Sequence, residues 1–236
     1  MKYFVISDIH SHYDAMKKAL EKSNYNEFDE HHHLLVIGDV FDRGDQAVLV
    51  LEYLYRLSCE NKATIIVGNH DLFTLNFLKG DIDSAYFNID HNGFGKTLES
   101  LSGRSIDNVD LEEIRLSILR KFPYLVTWIA SWPYYLEIDK YVFVHGGIEG
   151  DNPDWKTTQS KSDLVWNHEN TQPDLPGKIV VAGHTRIPTV RFKTKDYRAL
   201  FNEHPEAFDI LYLENKILID RFVEVSNEIN VLILDL

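Results

Sequence analysis

Leu34-Leu35-Val36-Ile37-Gly38-Asp39-Val40-Phe41-Asp42-Arg43-Gly44 is the stretch on which the reading of the fold turns. Four apolar residues without a polar interruption read as a strand buried on both faces, and the glycine after them permits a sharp turn. Two aspartates and an arginine follow, so a buried strand delivers charge at its carboxyl end. The same grammar appears on either side. Residues 3–6 run into Asp8-Ile9-His10, and residues 63–67 into Gly68-Asn69-His70-Asp71. Between them, residues 13–22 and 45–57 carry apolar side chains at helical spacing, Val48, Leu51 and Tyr55 among them. Strand, helix, strand, helix, strand predicts an α/β sheet with parallel pairing at its centre, where ligands bind beyond the carboxyl ends of the strands.

Downstream, residues 71–132 read as mostly helical, broken by a loop at His91-Asn92-Gly93-Phe94-Gly95 and by Pro123. Phe122, Trp128 and Trp132 lie in an apolar helical stretch and are expected in the core. Strands return at 134–138, 141–145, 179–182, 210–213, 217–219 and 231–234, with a hairpin around Glu214-Asn215. These closing antiparallel strands predict a second sheet packed on the first. The polar, proline-marked segment 152–176 reads as a loop-rich excursion. The chain is therefore expected to form one domain over 1–236, with 81–132 as a mostly helical insertion near the site.

Composition narrows the function. The chain has 236 residues, 44% hydrophobic and 26% charged, which suits one sizeable core. Its formal net charge of −13 repels nucleic acid and anionic membrane surfaces. Any anionic substrate must then be drawn by local positive charge, for which metal ions are a ready source. The single cysteine, Cys59, excludes an internal disulfide and a thiolate metal cluster, and its apolar neighbourhood marks it as a core filler. Residues 1–7 lack a signal-peptide pattern and no segment reaches membrane-spanning length, so a soluble cytoplasmic protein without an obligate partner is expected. His31-His32-His33 cannot all face one side of a strand and is read as a solvated loop. His12 is expected to start a helix, and His204 to lie in a polar loop.

Five motifs fall at predicted strand ends. Besides the three above they are His145-Gly146-Gly147 and Gly183-His184-Thr185. Together they offer two aspartates, an asparagine and three histidines suited to coordination, with His70 beside the asparagine. Any one alone is an ordinary turn; all five together favour a metal site. Hydrolysing a phosphate ester requires deprotonated water, neutralised phosphoryl oxygens and a stabilised leaving oxygen. Two metal ions ~3.5–4 Å apart meet all three needs, and a carboxylate between them offsets their repulsion. Asp39 is the natural bridge. Carboxylate, amide and imidazole ligands favour manganese, with iron, zinc, nickel or cobalt as alternatives, over calcium.

The motif set resembles the calcineurin-like metallophosphoesterases, and within them the serine/threonine phosphoprotein phosphatases of bacterial and phage type. The Gly-Asp-x-x-Asp-Arg-Gly form carries that narrower likeness, and the match runs from residue 2 to at least Thr185. The resemblance implies a two-sheet β-sandwich flanked by helices, in an αββα arrangement. It implies one metal held by Asp8, His10 and Asp39, and a second held by Asp39, Asn69, His145 and His184. It makes His70 the general acid, Asp42 its orienting partner, and Arg43 the fork that grips the phosphoryl oxygens. Ser11 stands where the family usually has glycine, and Asp71 where it has glutamate. The second phosphate-binding arginine expected after a Leu-x-Trp segment is replaced by Asn167-His168, which leaves His168 or Arg186 to take that part. Asn92 sits in a segment similar to the Asn-Gly-Gly…Thr stretch of bacterial relatives and of symmetrical diadenosine tetraphosphate hydrolases, and is a candidate pocket residue.

The implied substrate is a phosphorylated protein or a small phosphate ester, with a dinucleoside tetraphosphate as the alternative. A catalytically silent metal-bound scaffold is a third reading, which the presence of His70, Asp42 and Arg43 opposes. His70→Ala is expected to lower turnover by about 10²–10⁴-fold, the usual contribution of a general acid, while both metals stay bound. Loss of metal together with activity, read by elemental analysis, would make His70 a ligand instead.

Overall fold

The apolar runs that precede the motifs pair edge to edge in the computed structural model, which describes residues 1–148, 154–167 and 175–236. Strands β1 (Lys2–Ile6), β2 (His32–Ile37) and β3 (Ala63–Ile66) are parallel, in register Val5↔Leu35 and Leu35↔Thr64. Helix α1 (Tyr13–Lys22) follows β1, and α2 (Ala47–Cys59) follows β2. Five helices then occupy 69–130: α3 (Asn69–Leu78), α4 (Ile82–Asn92), α5 (Phe94–Ser102), α6 (Leu111–Lys121) and α7 (Leu125–Ala130). A second sheet is built from β4 (Tyr135–Ile138), β5 (Tyr141–Val144), β6 (Ile179–Ala182), β7 (Leu211–Tyr212) and β8 (Lys216–Leu218), in the order β4-β5-β6-β8-β7. Short helices α8 (Trp155–Thr158), α9 (Lys161–Trp166), α10 (Ile187–Arg191), α11 (Tyr197–Glu203) and α12 (Val223–Ser226) decorate its ends, and β9 (Leu232–Asp235) closes the described chain.

Period-two alternation explains the layering. Val5, Leu35, Ile37 and Ile66 of the first sheet meet Phe143, Val181 and Ile217 of the second in one apolar layer between the sheets. Their neighbours Phe4, Ile6, Leu34, Val36 and Ile65 point the other way, under the helices. Val142, Val144 and Val180 face Trp155 and Leu164 on the far side. Both faces of the central strands are covered, which is why they read as unbroken apolar runs. Burying each such side chain contributes about 1.5–3 kcal/mol. Among the described residues, no helix is long and apolar enough to cross a membrane.

Several sequence expectations need correction. The last strand does not join the second sheet: β9 returns to pair antiparallel with β1, Val5↔Leu232, at the edge of the first. Within the second sheet β5, β6 and β8 are parallel, and only the edge strands β4 and β7 run antiparallel. The predicted β7–β8 hairpin is present, closed by Leu213 N donating to Lys216 O.

The loop at 91–95 is a break of one residue between α4 and α5. Gly93 takes a left-handed φ of 75°, and a Cβ there would sit 3.0 Å from Arg43 Cα. Phe94 then turns inward against Phe77, which continues the helix instead of loosening it. His32 and His33 belong to β2 and not to a solvated loop. Tyr25 and Phe4 flank the His32 ring, and His33 Nε2 shares a hydrogen bond with Thr64 Oγ1 across to β3. Cys59 is exposed on the last turn of α2, past Leu54 and Leu57, whose phase carries them into the core. Trp132 and Phe122 are core residues as expected; Trp128 is partly buried and donates to Ser58 Oγ.

Candidate metal centre

The motifs after β1, β2 and β6 leave the carboxyl ends of their strands through left-handed backbone. Seven of the thirteen non-glycine residues with left-handed φ among the described residues are Asp8, His10, Ser11, Asp39, Asp42, Arg43 and His184. Such conformations cost of order 1–3 kcal/mol each and cluster where side chains must be aimed. Ser11 shows the cost of lacking glycine: it holds φ 58° while its N–H donates to Val40 O. Asp71 fixes the neighbouring turns. Its carboxylate accepts from Gly68 N, Asp39 N and Val40 N at 2.8–3.0 Å, tying the β2 and β3 motifs together. Burial, joined by the charge of Asp39, pushes the Asp71 carboxyl up to about 7.

The strand ends converge on a cavity of about 270 Å³, lined by Asp8, His10, Asp39, Asn69, His184 and, around them, Arg43, His70, Asn92 and Arg186. Asp39 lies between two imidazoles. Its Oδ1 is 3.2 Å from His145 Nε2 and its Oδ2 3.7 Å from His10 Nε2. Asn69 Oδ1 lies 3.0 Å from the same His145 nitrogen. Both imidazoles use Nδ1 on a backbone carbonyl, His10 on Phe41 O and His145 on Ile37 O, each at 2.9 Å. A carbonyl only accepts, so each Nδ1 carries the hydrogen and each Nε2 points at the carboxylate. Two ring nitrogens and an amide oxygen aimed at a buried carboxylate need positive charge among them, which a proton on His145 Nε2 or a metal ion supplies. The donor set therefore fits cations.

The electrostatics agree. Burial pulls the His145 imidazole down, but the charges of Asp39 and Asp8 and the hydrogen bonds to Asp39 and Ile37 together push it up to about 10. Burial likewise pushes Asp39 up, yet His145, His70 and His10 hold it well below the usual carboxylate range. Burial, followed by Arg43 and His70, holds His10 well below the ordinary imidazole value, in its ligand form. A metal taken up beside His145 would thus displace a proton. Asp8 is held up by burial and by Asp220 and Asp39, and its carboxylate accepts from His184 N at 3.0 and 3.1 Å. Candidate ligand atoms of Asp39, His145 and His184 lie within 4.8 Å of one another, as do those of His10, Asp39 and His70.

His70 is better placed for another part. Its Nδ1 faces Asp42 Oδ2 at 2.7 Å, and its Nε2 takes an N–H of Arg43 at 2.9 Å. A guanidinium at that nitrogen sets a cation where a metal would have to sit. Asp42 in turn is held by Thr97 of α5, whose Oγ1 donates to Asp42 Oδ1 at 2.9 Å and accepts from Asp42 N at 2.8 Å. Arg186 and Asn92 also line the cavity, Asn92 bonded to Asn88. His168 lies outside the described residues.

Thr97, Glu224, Phe73 and Trp166 join the site without a role that the sequence alone assigns. Thr97 stood inside a segment already singled out. Glu224, which binds Arg43 and Arg186, carried no local signal. Burial raises the Glu224 carboxyl, but His10, Arg43 and Arg186 bring it down to about 2.

Comparison with known proteins bears on the family and the fold. The model for the calcineurin-like phosphoesterases matches residues 1–219. The symmetrical bis(5'-nucleosyl)-tetraphosphatase of Buchnera aphidicola subsp. Acyrthosiphon pisum (strain 5A) is 29% identical over 164 residues, 68% of this chain and 48% of that protein. The chain thus spans about half the length of the curated relatives it matches. Among solved structures, a candidate diadenosine tetraphosphatase is similar with a TM-score of 0.55 at 16% identity, covering 94% of this chain and 84% of its own. A serine/threonine phosphatase from Saccharomyces cerevisiae gives 0.52 at 16%, covering 78% and 61%. At such identities the structures speak to the fold alone.

Thr97→Val, which removes both hydrogen bonds to Asp42, is expected to lower kcat about 10- to 100-fold, the usual cost of losing an orienting partner. Manganese content should not change. Steady-state hydrolysis of an aryl phosphate, with elemental analysis of the same preparation, checks both.

Proposed function

This chain belongs to the calcineurin-like phosphoesterase family, and from that premise we propose that it hydrolyses dinucleoside polyphosphates with the help of two divalent metal ions. One observation carries the choice of substrate. Beside the metal-centre cavity lies a recess of about 360 Å³ lined by Phe73, Phe77, Phe87 and Trp166, with Asn88, Asn92, Asp81 and Ser84 among its polar groups. That volume falls within the ~300–1,000 Å³ usual for small-molecule sites. Asn92 and Trp166 line both spaces, so the two adjoin. Phe73 lies against His70 at 5.1 Å between ring centroids and against Trp166 at 5.9 Å, at the boundary of the two. Aromatic faces with amides beside them match a nucleobase, which stacks and hydrogen-bonds at once. Curated relatives carry the corresponding name.

In this reading Asp8, His10 and Asp39 would hold one ion, and Asp39, Asn69, His145 and His184 the other. When bound, the pair supplies an activated water and neutralises phosphoryl charge. The chain's own residues do the rest. Arg43 leaves His70 Nε2 for the phosphoryl oxygens; that nitrogen then takes up a proton from solvent, with Asp42 at Nδ1 stabilising the imidazolium, and passes it to the bridging oxygen of the departing nucleoside diphosphate. Asp42 holds the ring in place through Nδ1, and Thr97 holds Asp42. The aromatic recess seats the base on the same side as His70. A phosphoprotein substrate is the second reading, favoured by the Gly-Asp-x-x-Asp-Arg-Gly form of residues 38–44.

With manganese present, diadenosine tetraphosphate is expected to turn over far more efficiently than a phosphoserine peptide, yielding two molecules of ADP. Trp166→Ala should raise KM for the dinucleotide about tenfold, since stacking on a base contributes about 1–3 kcal/mol. Chromatography of the products decides it: efficient release of phosphate from the peptide alone would establish the second reading.

A further inference from the structure

Glu224 stands 181 residues from Arg43 and 38 from Arg186, yet its Oε1 accepts from both guanidinium groups. Arg43 Nη1 lies at 2.5 Å and Arg186 Nη2 at 3.0 Å. Arg43 follows β2 and Arg186 follows β6, so one carboxylate oxygen links the carboxyl ends of both sheets. The backbone before it is strained to make the link. Phe222 takes a left-handed φ of 57°, unusual for an aromatic residue, with its N–H on Asp220 Oδ1 at 2.7 Å. That turn sets the Phe222 ring 4.1 Å under the Arg186 guanidinium and opens α12 with Glu224 between the two arginines.

A carboxylate so near the metal centre could compete with an anionic substrate or serve it. Its position separates the two. Arg43 and Arg186 both line the cavity, and Glu224 is held between them through the one oxygen they share. Each guanidinium has five N–H groups, and this contact uses one of each, leaving donors for the cavity. Two adjacent guanidinium groups repel; a shared carboxylate offsets that repulsion and leaves one net positive charge.

We propose that Glu224 is a positioning residue that joins Arg43 and Arg186 into one cationic fork, in which Arg43 meets the phosphate held at the metal ions and Arg186 the one adjoining it. The fork then selects chains of phosphates over simple monoesters, an inference that rests on the polyphosphate reading given above. It also supplies, from β6, the second arginine that is missing after Trp166.

Calorimetry of the full chain in excess manganese, with inorganic phosphate and with pyrophosphate, tests the fork without any nucleoside. The native chain should bind pyrophosphate at least tenfold more tightly than phosphate. E224Q should remove most of that preference while phosphate affinity changes less than about threefold. R186M should do the same, and the double variant should lose no more than either alone, because the two side chains act as a unit. R186M also keeps the test decisive should E224Q fold poorly, which thermal melting would show. The proposal is overturned if the native chain binds both anions alike, if the variants keep the preference, or if they weaken both anions equally. Intact diadenosine tetraphosphate in the turnover assay would remove the proposed substrate yet leave this result standing, since neither probe carries a base.

Discussion

Asp39 is a buried carboxylate with an imidazole nitrogen facing each of its oxygens, and the surrounding structure is arranged around that constraint. A bare charge at such depth is costly, and so are lone pairs turned toward it. Positive charge between Asp39, His10 and His145 resolves both costs at once. The protein sets the stage with rigid parts: backbone carbonyls fix the imidazoles, and Asp71 fixes the turn that carries Asp39. Gly68 is required on the same account, since a Cβ there would lie 2.3 Å from the Asp39 carboxylate.

The helical segment between β3 and β4 is more than a cover for the first sheet. Gly93 O accepts from Arg43 N, and Thr97 holds Asp42 from the next turn. The face of α4 that carries Asn88 and Asn92 lines the aromatic recess. One pair of helices therefore supports the Asp42–His70 side of the site and shapes the space next to it. Packing and chemistry share residues here, and left-handed backbone at Asp42, Arg43 and Gly93 marks where they meet.

Much of this was legible in the sequence, for reasons that can be named. Buried parallel strands announce themselves as apolar runs, and motifs at their ends inherit a common location. Asp8, His10, Asp39, Asn69 and His184 accordingly reach one cavity, with His145 just behind. What stayed hidden depended on distant partners. Nothing local to residues 232–235 says that they pair with β1, and nothing in Val223-Glu224 announces Arg43. The break at Gly93 reads as a loop because Asn and Gly are common in turns; the inward packing of Phe94 decides otherwise. His32 and His33 looked solvated until Tyr25, Phe4 and Thr64 supplied a partly buried place for them. Cys59 was misjudged by composition, since helix phase and not neighbourhood sets exposure at the end of α2.

The claim under all of this is that Asp39 joins two cations. Electron paramagnetic resonance during titration of the metal-stripped chain with manganese addresses it directly. A spectrum of two exchange-coupled ions, complete at two equivalents per chain and lost in Asp39→Asn, is the predicted result. Signals of isolated ions throughout the titration, or saturation at one equivalent, would contradict it.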